Sequence, residues 1–384
     1  MPISIQKKSE CTGCGACSNK CPQKCIIFKE DSCGFSYPKV NTLKCTDCGL
    51  CEKVCPLKNN MKSNNRIKAV YAGWSKEPEL RISSTSGGVF SVLAYHVLEM
   101  GGLVSGAIYD SENTICHTIV SQKKDIVRLR QSKYAQSRIN SVYTEIKRAL
   151  KMQPVLFCGA PCQVAGLISF LGGHPKGLYI VDFICRGVNS PKAYREWLKE
   201  LEEQQRAKAT RVWFKYKEDG WKQSPRCTRI DFADGSKIVQ KGMDNTFMCG
   251  YLGNNLYIRP SCGSCCFKGQ ERYGDLTVGD FLGVDPKYDD DKGTSLILIN
   301  SEQGMDLFEQ VKPNLFTVER EIGEISSGNV CFTDSVRINP KSEEFLKVIG
   351  KDMPFSEAIR KYTAVSFFTK IKRCLKRMMK LNKK

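Results

Sequence analysis

The chain has 384 residues and a net charge of +19, from 59 Lys and Arg against 40 Asp and Glu. Its apolar content of 41% and charged content of 26% are typical of a soluble globular protein and exclude a disordered or fibrous chain. The sequence predicts no transmembrane helix, because no stretch of 18 residues is continuously apolar. With 21 cysteines and no signal peptide before the first of them, it favours metal ligation in a reducing cytoplasm over disulfides.

Two runs of cysteines near the N-terminus share one spacing, in which three cysteines lie two residues apart and a fourth precedes a proline. The runs are Cys11, Cys14, Cys17, Cys21 and Cys45, Cys48, Cys51, Cys55. This duplicated pattern is typical of two 4Fe–4S clusters, each of which takes the fourth cysteine of the other run. The predicted ligand sets are Cys11, Cys14, Cys17 and Cys55 for the first cluster, and Cys45, Cys48, Cys51 and Cys21 for the second. A zinc ribbon explains neither the two quartets nor the prolines. Cys25 and Cys33 fall outside the pattern and are interpreted as filler thiols.

The composition and hydrophobic pattern of the sequence divide the chain into four segments. Residues 1–57 form the ferredoxin-like unit, and the polar, Asn-rich residues 58–68 form a linker. Residues 69–363 alternate predicted strands and helices, and residues 364–384 form a basic tail. The predicted fold class is therefore α+β or α/β, with a two-cluster ferredoxin-like domain followed by a larger mixed α/β domain.

The predicted elements of the larger domain follow one another in chain order. Strands are predicted at 69–74, 103–109, 155–158, 178–185 and 296–299, with a β-rich region at 211–240. Helices are predicted at 89–100, 142–152, from 162 onward and at 191–205.

A hydroxyl-rich loop with two glycines, residues 83–88, precedes the first of these helices. Backbone N–H groups at a helix N-terminus bind anions, so the loop suits the pyrophosphate of a dinucleotide. A capped helix after a tight turn explains the same residues equally well. No GxGxxG follows a strand, so a Rossmann fold is not supported.

Several further cysteines lie at predicted strand ends, where α/β sheets place their binding loops. They are Cys158, Cys162, Cys185, Cys262 and Cys265. A structural zinc is an alternative for the last two. Cys116, Cys227, Cys249, Cys331 and Cys374 are interpreted as small core residues.

Six ordered motifs of the larger domain resemble one known family. They are SGG at 86–88, SKYAQS at 132–137, CGAPCQ at 158–163, ICRGVNSP at 184–191, RPSCGSC at 259–265 and GDLTVGD at 274–280. The family is that of the beta subunits of coenzyme F420-dependent hydrogenases and dehydrogenases. It also includes iron–sulfur flavoproteins that act on chlorophyll-type substrates.

The resemblance implies a flavin-binding domain with FAD and a third 4Fe–4S cluster. It assigns the flavin site to Ser86, Gly87, Gly88, Lys133 and Tyr134. It assigns the third cluster to Cys162, Cys185, Cys262 and Cys265, with Cys158 and Asp280 as reserve ligands. Arg186 and Cys266 depart from the family pattern and leave the substrate open.

The predicted function is that of an iron–sulfur flavoprotein oxidoreductase. It would pass electrons between a hydride donor or acceptor at FAD and a partner protein at the 4Fe–4S clusters. The first alternative is an electron-transfer adaptor subunit whose flavin site is unused. The second is a non-redox protein that binds a sugar or nucleotide and has structural clusters. No catalytic side chain is assigned.

The basic tail accounts for almost half of the excess charge, with eight Lys or Arg and no acid between Lys370 and Lys384. Apolar residues at helical spacing predict an amphipathic helix that lies on an anionic membrane or docks to a partner. A solvated basic end is the alternative. Because the charge is concentrated in this tail, nucleic acid is not a favoured partner. The expected location is the cytoplasm, with peripheral contact at the inner face of the membrane.

Overall fold

The computed structural model describes residues 2–63 and 65–364. Thirteen strands occur in these residues. They are β1 (Ile26–Glu30), β2 (Ser36–Val40), β3 (Ala69–Ser75), β4 (Leu103–Tyr109), β5 (Ile115–Val120), β6 (Val155–Cys158), β7 (Leu178–Phe183), β8 (Ala209–Phe214), β9 (Cys227–Phe232), β10 (Lys237–Lys241), β11 (Leu276–Asp280), β12 (Ser295–Ile299) and β13 (Leu315–Arg320).

The same residues contain thirteen α-helices, several of them a single turn. They are α1 (Ala16–Lys20), α2 (Leu50–Lys53), α3 (Pro78–Ile82), α4 (Val89–Glu99), α5 (Ile126–Leu129), α6 (Val142–Ala149), α7 (Pro161–Leu171), α8 (Pro191–Gln205), α9 (Thr246–Met248), α10 (Glu302–Val311), α11 (Ile325–Gly328), α12 (Ser342–Val348) and α13 (Phe355–Thr363). The amphipathic helix predicted for the tail lies outside the described residues.

The larger domain is organised on one eight-stranded sheet, in the order β13-β3-β12-β11-β7-β6-β4-β5. The neighbours β4, β6, β7 and β11 are parallel, whereas the remaining pairs are antiparallel. Strand β12 is buried along its whole length and β6 as far as Phe157, because both faces of the sheet are covered. A second sheet, β10-β9-β8, lies in the same domain. The predicted mixed α/β class is confirmed.

The N-terminal unit preserves its duplication in the backbone. Gly15 and Gly49 are equivalent in the two runs, and each has a positive φ (79° and 70°) immediately before a short helix. Gly13 and Asp47 are also equivalent, and both have a positive φ. The left-handed conformation favours glycine, and Asp and Asn tolerate it better than most other residues do. The antiparallel pair β1 and β2 lies between the two runs.

The ferredoxin-like unit shares a hydrophobic core with the larger domain. Side chains of α1 and Val54 pack in one cluster with Tyr143 of α6 and Phe170 of α7. Polar contacts join the same surfaces, since Asn19 donates to the Asn140 carbonyl (2.7 Å) and Ser169 donates to the Val54 carbonyl (2.9 Å). The unit is therefore packed against the larger domain.

Buried Arg259 joins the two parts through several hydrogen bonds. Its side chain is 0% exposed. Its guanidinium donates to the carbonyls of Cys11 (2.8 Å) and Ser36 (3.1 Å) and to Gln136 Oε1 (2.6 Å). It also lies 4.4 Å from the ring centre of Tyr37, a cation–π contact.

Within the described residues, no helix has the length and apolarity needed to cross a bilayer.

His174 and Asp275 form an ion pair that should make stability pH-dependent. Burial alone would lower the pKa of His174, but its hydrogen bond to Asp275 (3.0 Å) and the carboxylate charge raise it overall. The charged imidazole therefore stabilises the fold fully below the unfolded pKa of about 6.5, and this contribution is lost as pH rises through the raised folded pKa. We expect the wild type to melt at a higher temperature than His174→Gln at low pH, and this difference to shrink as pH rises across that window. An equal melting-temperature difference at pH 5.5 and 8.5 would contradict this assignment.

Candidate iron–sulfur and flavin sites

The first cysteine site lies where the ferredoxin-like unit meets the larger domain. A pocket at this boundary is lined by all four cysteines predicted for the first cluster. They are Cys11, Cys14, Cys17 and Cys55. The pKa of the Cys14 thiol is raised to about 12, mainly by burial and also by the charges of Cys11 and Cys55. Four thiolates together, three of them buried, need compensating cations, and the irons of a cluster supply these.

The second cysteine site contains one thiol more than predicted. Its pocket is lined by the four predicted cysteines and by Cys25. The predicted four are Cys21, Cys45, Cys48 and Cys51. The Cys25 and Cys21 sulfurs are 3.4 Å apart, and Cys25 is 4% exposed. Cys25 therefore lies beside the predicted ligands of the second site, whereas Cys33 packs in the core of the larger domain.

The candidate third site is assembled from three separate stretches of chain. Cys162 is the second residue of α7, which follows β6, and Cys185 follows β7. Cys262 and Cys265 lie within and just after a short 3-10 helix, Pro260–Ser264. Strand β7 ends at Phe183 rather than at Cys185. The chain leaves the sheet there. The following segment pairs with residues 257–259, because the Ser190 N–H donates to the Tyr257 carbonyl and the Arg259 N–H donates to the Val188 carbonyl.

The four thiols of this third site lie close together and are partly buried. Burial raises the pKa of the Cys162 thiol well above its usual value, and the charges of Cys185, Cys265 and Cys262 raise it further. Gly187 permits this approach, because a Cβ atom at its position would lie 3.2 Å from Cys262 Cβ. Burial likewise raises the pKa of Cys185 to about 12.

A lysine and a serine hold the loops of the third site in place. Lys268 Nζ donates to the carbonyls of Cys185 (2.8 Å) and Cys331 (2.7 Å), which ties together the loops after β7 and α11. The Cys265 N–H donates to Ser335 Oγ (2.9 Å). The Lys268 ammonium also stabilises the thiolate form of Cys185, since its charge lowers the pKa of Cys185 against the effect of burial.

The two reserve ligands have other partners. Asp280 forms an ion pair with Lys215, whose side chain is buried. Burial raises the pKa of Cys158 to about 12, and the charges that act on it are those of Asp182 and Lys133. The geometry therefore favours the four-cysteine set at the third site.

A mononuclear zinc suits these cysteines less well. Within residues 2–63 and 65–364, no three His, Cys, Asp or Glu side chains are placed as ligands of a single metal ion. Zinc holds its ligands at about 2.0–2.3 Å in one tetrahedron. A 4Fe–4S cluster instead binds each of four thiolates to a different iron, so its sulfurs lie farther apart.

The third site and the first site are neighbours across one helix. Gly166 lies one turn after Cys162 in α7, and a Cβ atom there would lie 3.0 Å from both Cβ and Sγ of Cys14. The charge of Cys14 also acts on Cys162. Glycine at this position lets the first cysteine site approach the helix that holds Cys162.

The loop at 83–88 presents free backbone donors at the start of α4. In the described residues, the N–H groups of Gly88, Val89 and Phe90 have no hydrogen-bond partner in the protein. Gly88 caps the helix with φ 88°. Gly87 packs instead against β3, since a Cβ atom there would lie 2.4 Å from the Gly73 carbonyl oxygen. The loop therefore has the geometry of an anion-binding helix N-terminus.

Near this loop Lys133, Lys217 and Arg130 have no carboxylate partner among the described residues, whereas Arg81 pairs with Asp290. Lys133 donates to the carbonyl of Arg130 (3.0 Å), and burial lowers its pKa to about 7. Lys217 donates to the Ser86 carbonyl (2.6 Å), and burial lowers its pKa to about 7. Arg130 donates to Ser83 Oγ (2.6 Å), so the loop and the segment before Lys133 are joined.

Tyr134 lies at the side of the same region. Its ring packs edge-on against Phe214, with centroids 5.2 Å apart, and against Tyr251 at 5.3 Å. The charges of Lys215 and Asp280 act on its hydroxyl. Tyr251 is in turn within reach of the charge of Cys185, so these aromatic rings lie between the loop region and the third cysteine site.

No site role was predicted for Arg130, Lys217 or Lys268. Arg130 lies two residues before the SKYAQS motif at 132–137, and this proximity is the one signal in the sequence that could have pointed to it. Lys217 and Lys268 reach their sites from other parts of the chain. Nothing in their local pattern distinguishes them from surface lysines.

Comparisons with known proteins identify the family of the chain. Two family models describe the "Coenzyme F420 hydrogenase/dehydrogenase, beta subunit": the model of its N-terminal part matches residues 70–143, and the model of its C-terminal part matches residues 152–324. A 4Fe–4S dicluster domain matches residues 10–59. A comparison with curated proteins finds no match.

Among solved structures, the chain is similar to one in the xenon-derivatized F420-reducing [NiFe] hydrogenase complex from Methanosarcina barkeri. The two are 17% identical, with a TM-score of 0.48, over 70% of this chain and 87% of that one. The two beta-subunit models together span more than half of the chain, after the dicluster domain. The chain is therefore an iron–sulfur electron-transfer protein that belongs to the coenzyme F420 hydrogenase/dehydrogenase beta subunit family.

Proposed function

We propose that this protein is an iron–sulfur flavoprotein oxidoreductase with one FAD and three 4Fe–4S clusters. The observation that carries the proposal is the meeting of Cys162, Cys185, Cys262 and Cys265 beside the first ferredoxin site. When bound, the flavin would exchange a hydride with a small-molecule substrate, and the clusters would carry its electrons singly to or from a partner protein. We keep the division at 1–57, 58–68, 69–363 and 364–384 as part of this proposal.

The residues around the loop at 83–88 fit the phosphates of FAD. The free N–H groups of Gly88, Val89 and Phe90 would bind phosphate oxygens, with the positive end of the α4 dipole behind them. Lys133 and Lys217 would supply positive charge, because neither has a carboxylate partner among the described residues. Their lowered pKa values mean that a bound anion would favour their charged forms.

The three cysteine sites lie in a spatial order that suits a relay. The third site adjoins the first through α7, and the first and second sites exchange their fourth cysteines within the ferredoxin-like unit. Cys48 of the second site is exposed, and nearby Leu43 is 96% exposed. We place the contact with the redox partner at this outer end.

Location and membrane contact follow the same proposal. The many unpaired thiols of the described residues suit a reducing cytoplasm. The basic tail would bring the protein to the inner face of an anionic membrane or to a membrane-associated partner.

Cofactor counts on anaerobically purified protein test the proposal directly. We expect about twelve irons and one flavin per chain. About eight irons without flavin would indicate an adaptor subunit with only the ferredoxin clusters. Reduction of the flavin by F420H₂ or by NADH, followed by absorbance, would then identify the class of hydride donor.

A single substitution separates the flavin site from the clusters. We expect Lys133→Met to lower the flavin content severalfold at unchanged iron content, because it removes a buried charge beside the phosphate site. Lys123→Met is the matched control, since Lys123 is exposed and pairs with Glu99. Equal flavin loss in both variants, or unchanged flavin in Lys133→Met, would contradict the assigned site.

A further inference from the structure

The second cysteine site has five thiols where a 4Fe–4S cluster needs four. Cys25 faces Cys21 at 3.4 Å between sulfurs, and its thiol is also in hydrogen-bonding reach of Cys45. It is buried and lines the same cavity as the four predicted ligands. A thiol in this position can reach the same corner of a cluster as Cys21.

The duplication of the unit supplies an internal comparison. The equivalent of Cys21 in the second run is Cys55, and the equivalent of Cys25 is Asn59. Asn59 uses its side-chain amide to bond the carbonyls of Glu52 (2.8 Å), Lys53 (2.8 Å) and Cys55 (2.9 Å). The first site therefore has no spare thiol at the matching position.

The backbone between Cys21 and Cys25 explains why the two sulfurs meet. The Lys24 N–H donates to the Cys21 carbonyl (3.2 Å), and Lys24 has a positive φ of 48°. This tight turn brings the chain back into the cavity just before β1. The Asn41 N–H then holds the Cys25 carbonyl at 2.8 Å.

We propose that Cys25 is an alternative ligand of the second cluster, able to take the place of Cys21. In the exchange, one iron–thiolate bond to Cys21 breaks as one to Cys25 forms. Cys21 gains the proton that Cys25 loses, and no electron is transferred. The cluster nearest the protein surface can thus be held in two ways, whereas the first cluster has a single ligand set.

Iron content in four alanine variants tests this inference, because alanine cannot ligate iron. We expect Cys21→Ala to keep the wild-type iron and sulfide content and to show a changed electron paramagnetic resonance signal of the reduced protein. We expect Cys55→Ala and the double variant Cys21→Ala/Cys25→Ala each to lose about four irons per chain. Cys25→Ala alone should keep all of them.

Two outcomes overturn the inference. The first is a loss of iron in Cys21→Ala as large as that in Cys55→Ala. The second is a double variant that retains as much iron as Cys21→Ala. Circular dichroism of each variant shows whether iron loss is accompanied by unfolding, and a gain of iron on adding Asn59→Cys to Cys55→Ala would support the spare-thiol geometry independently. Iron content and the electron paramagnetic resonance signal do not depend on flavin, so they test this inference independently of the proposed flavoprotein function.

Discussion

Cys185→Ala should remove about four irons per chain while leaving the two ferredoxin clusters in place. Cys185 lies on the loop after β7 and is held to the Cys331 loop through Lys268, far in sequence from both N-terminal runs. Its loss leaves three thiolates at the third site and opens one iron to solvent. Iron and acid-labile sulfide counts on anaerobic protein, with spectra of the reduced clusters, measure the effect.

Cys266→Ala is the matched control for this prediction. Cys266 is adjacent to Cys265 but is exposed, so it should be dispensable. We expect it to retain all of its irons. The third site is misassigned if Cys185→Ala and Cys266→Ala keep the same iron content.

Arg259→Met should destabilise the protein and loosen the ferredoxin-like unit from the larger domain. The substitution leaves the carbonyls of Cys11 and Ser36 without a buried donor, and each such group costs about 1–3 kcal/mol. We therefore expect the unfolding free energy to fall by about 3 kcal/mol or more. Proteolysis should begin within residues 58–68, where Ser63 and Met61 now bond to Arg272 and Tyr273.

Arg195→Met is the control, since Arg195 joins the same two parts from a half-exposed position. It forms a bidentate pair with Glu30 (2.5 and 3.1 Å). Exposed ion pairs contribute at most about 1 kcal/mol, so this variant should resist protease nearly as well as the wild type. Equal protection of both variants would show that Arg259 is not the main contact between the parts.

The cluster ligands of the N-terminal unit, several strands and the fold class could be predicted from patterns of residues close together in the sequence. The ligands of the first and second sites are few residues apart, so their spacing alone indicated clusters, and the exchange of Cys21 and Cys55 followed from the repeat. Strands β3, β4, β6, β7 and β12 were predicted because alternation and apolar runs are local properties, whereas β5 and β11 were not predicted. The mixed α/β class and the family assignment from six motifs are both confirmed.

Long-range contacts were not predictable from the residues alone. Cys162, Cys185 and Cys262 were grouped by family resemblance, because their meeting depends on the order of strands in the sheet. The role of Arg259 was missed, since a buried arginine without an acidic partner has no sequence signal. A linker was predicted at 58–68, whereas the shared core of the two parts around Tyr143 was not predicted.

The twin cysteine runs by themselves determined that this chain carries electrons, because one short loop can supply three of the four ligands of a cubane and the repeat supplies the fourth. The tertiary structure decided which other thiols lie close to these runs. Gly166 brings Cys14 against the helix of Cys162, and the turn at Lys24 brings Cys25 to Cys21. Both are close approaches of side chains that depend on backbone conformation and packing, which the spacing of residues does not encode.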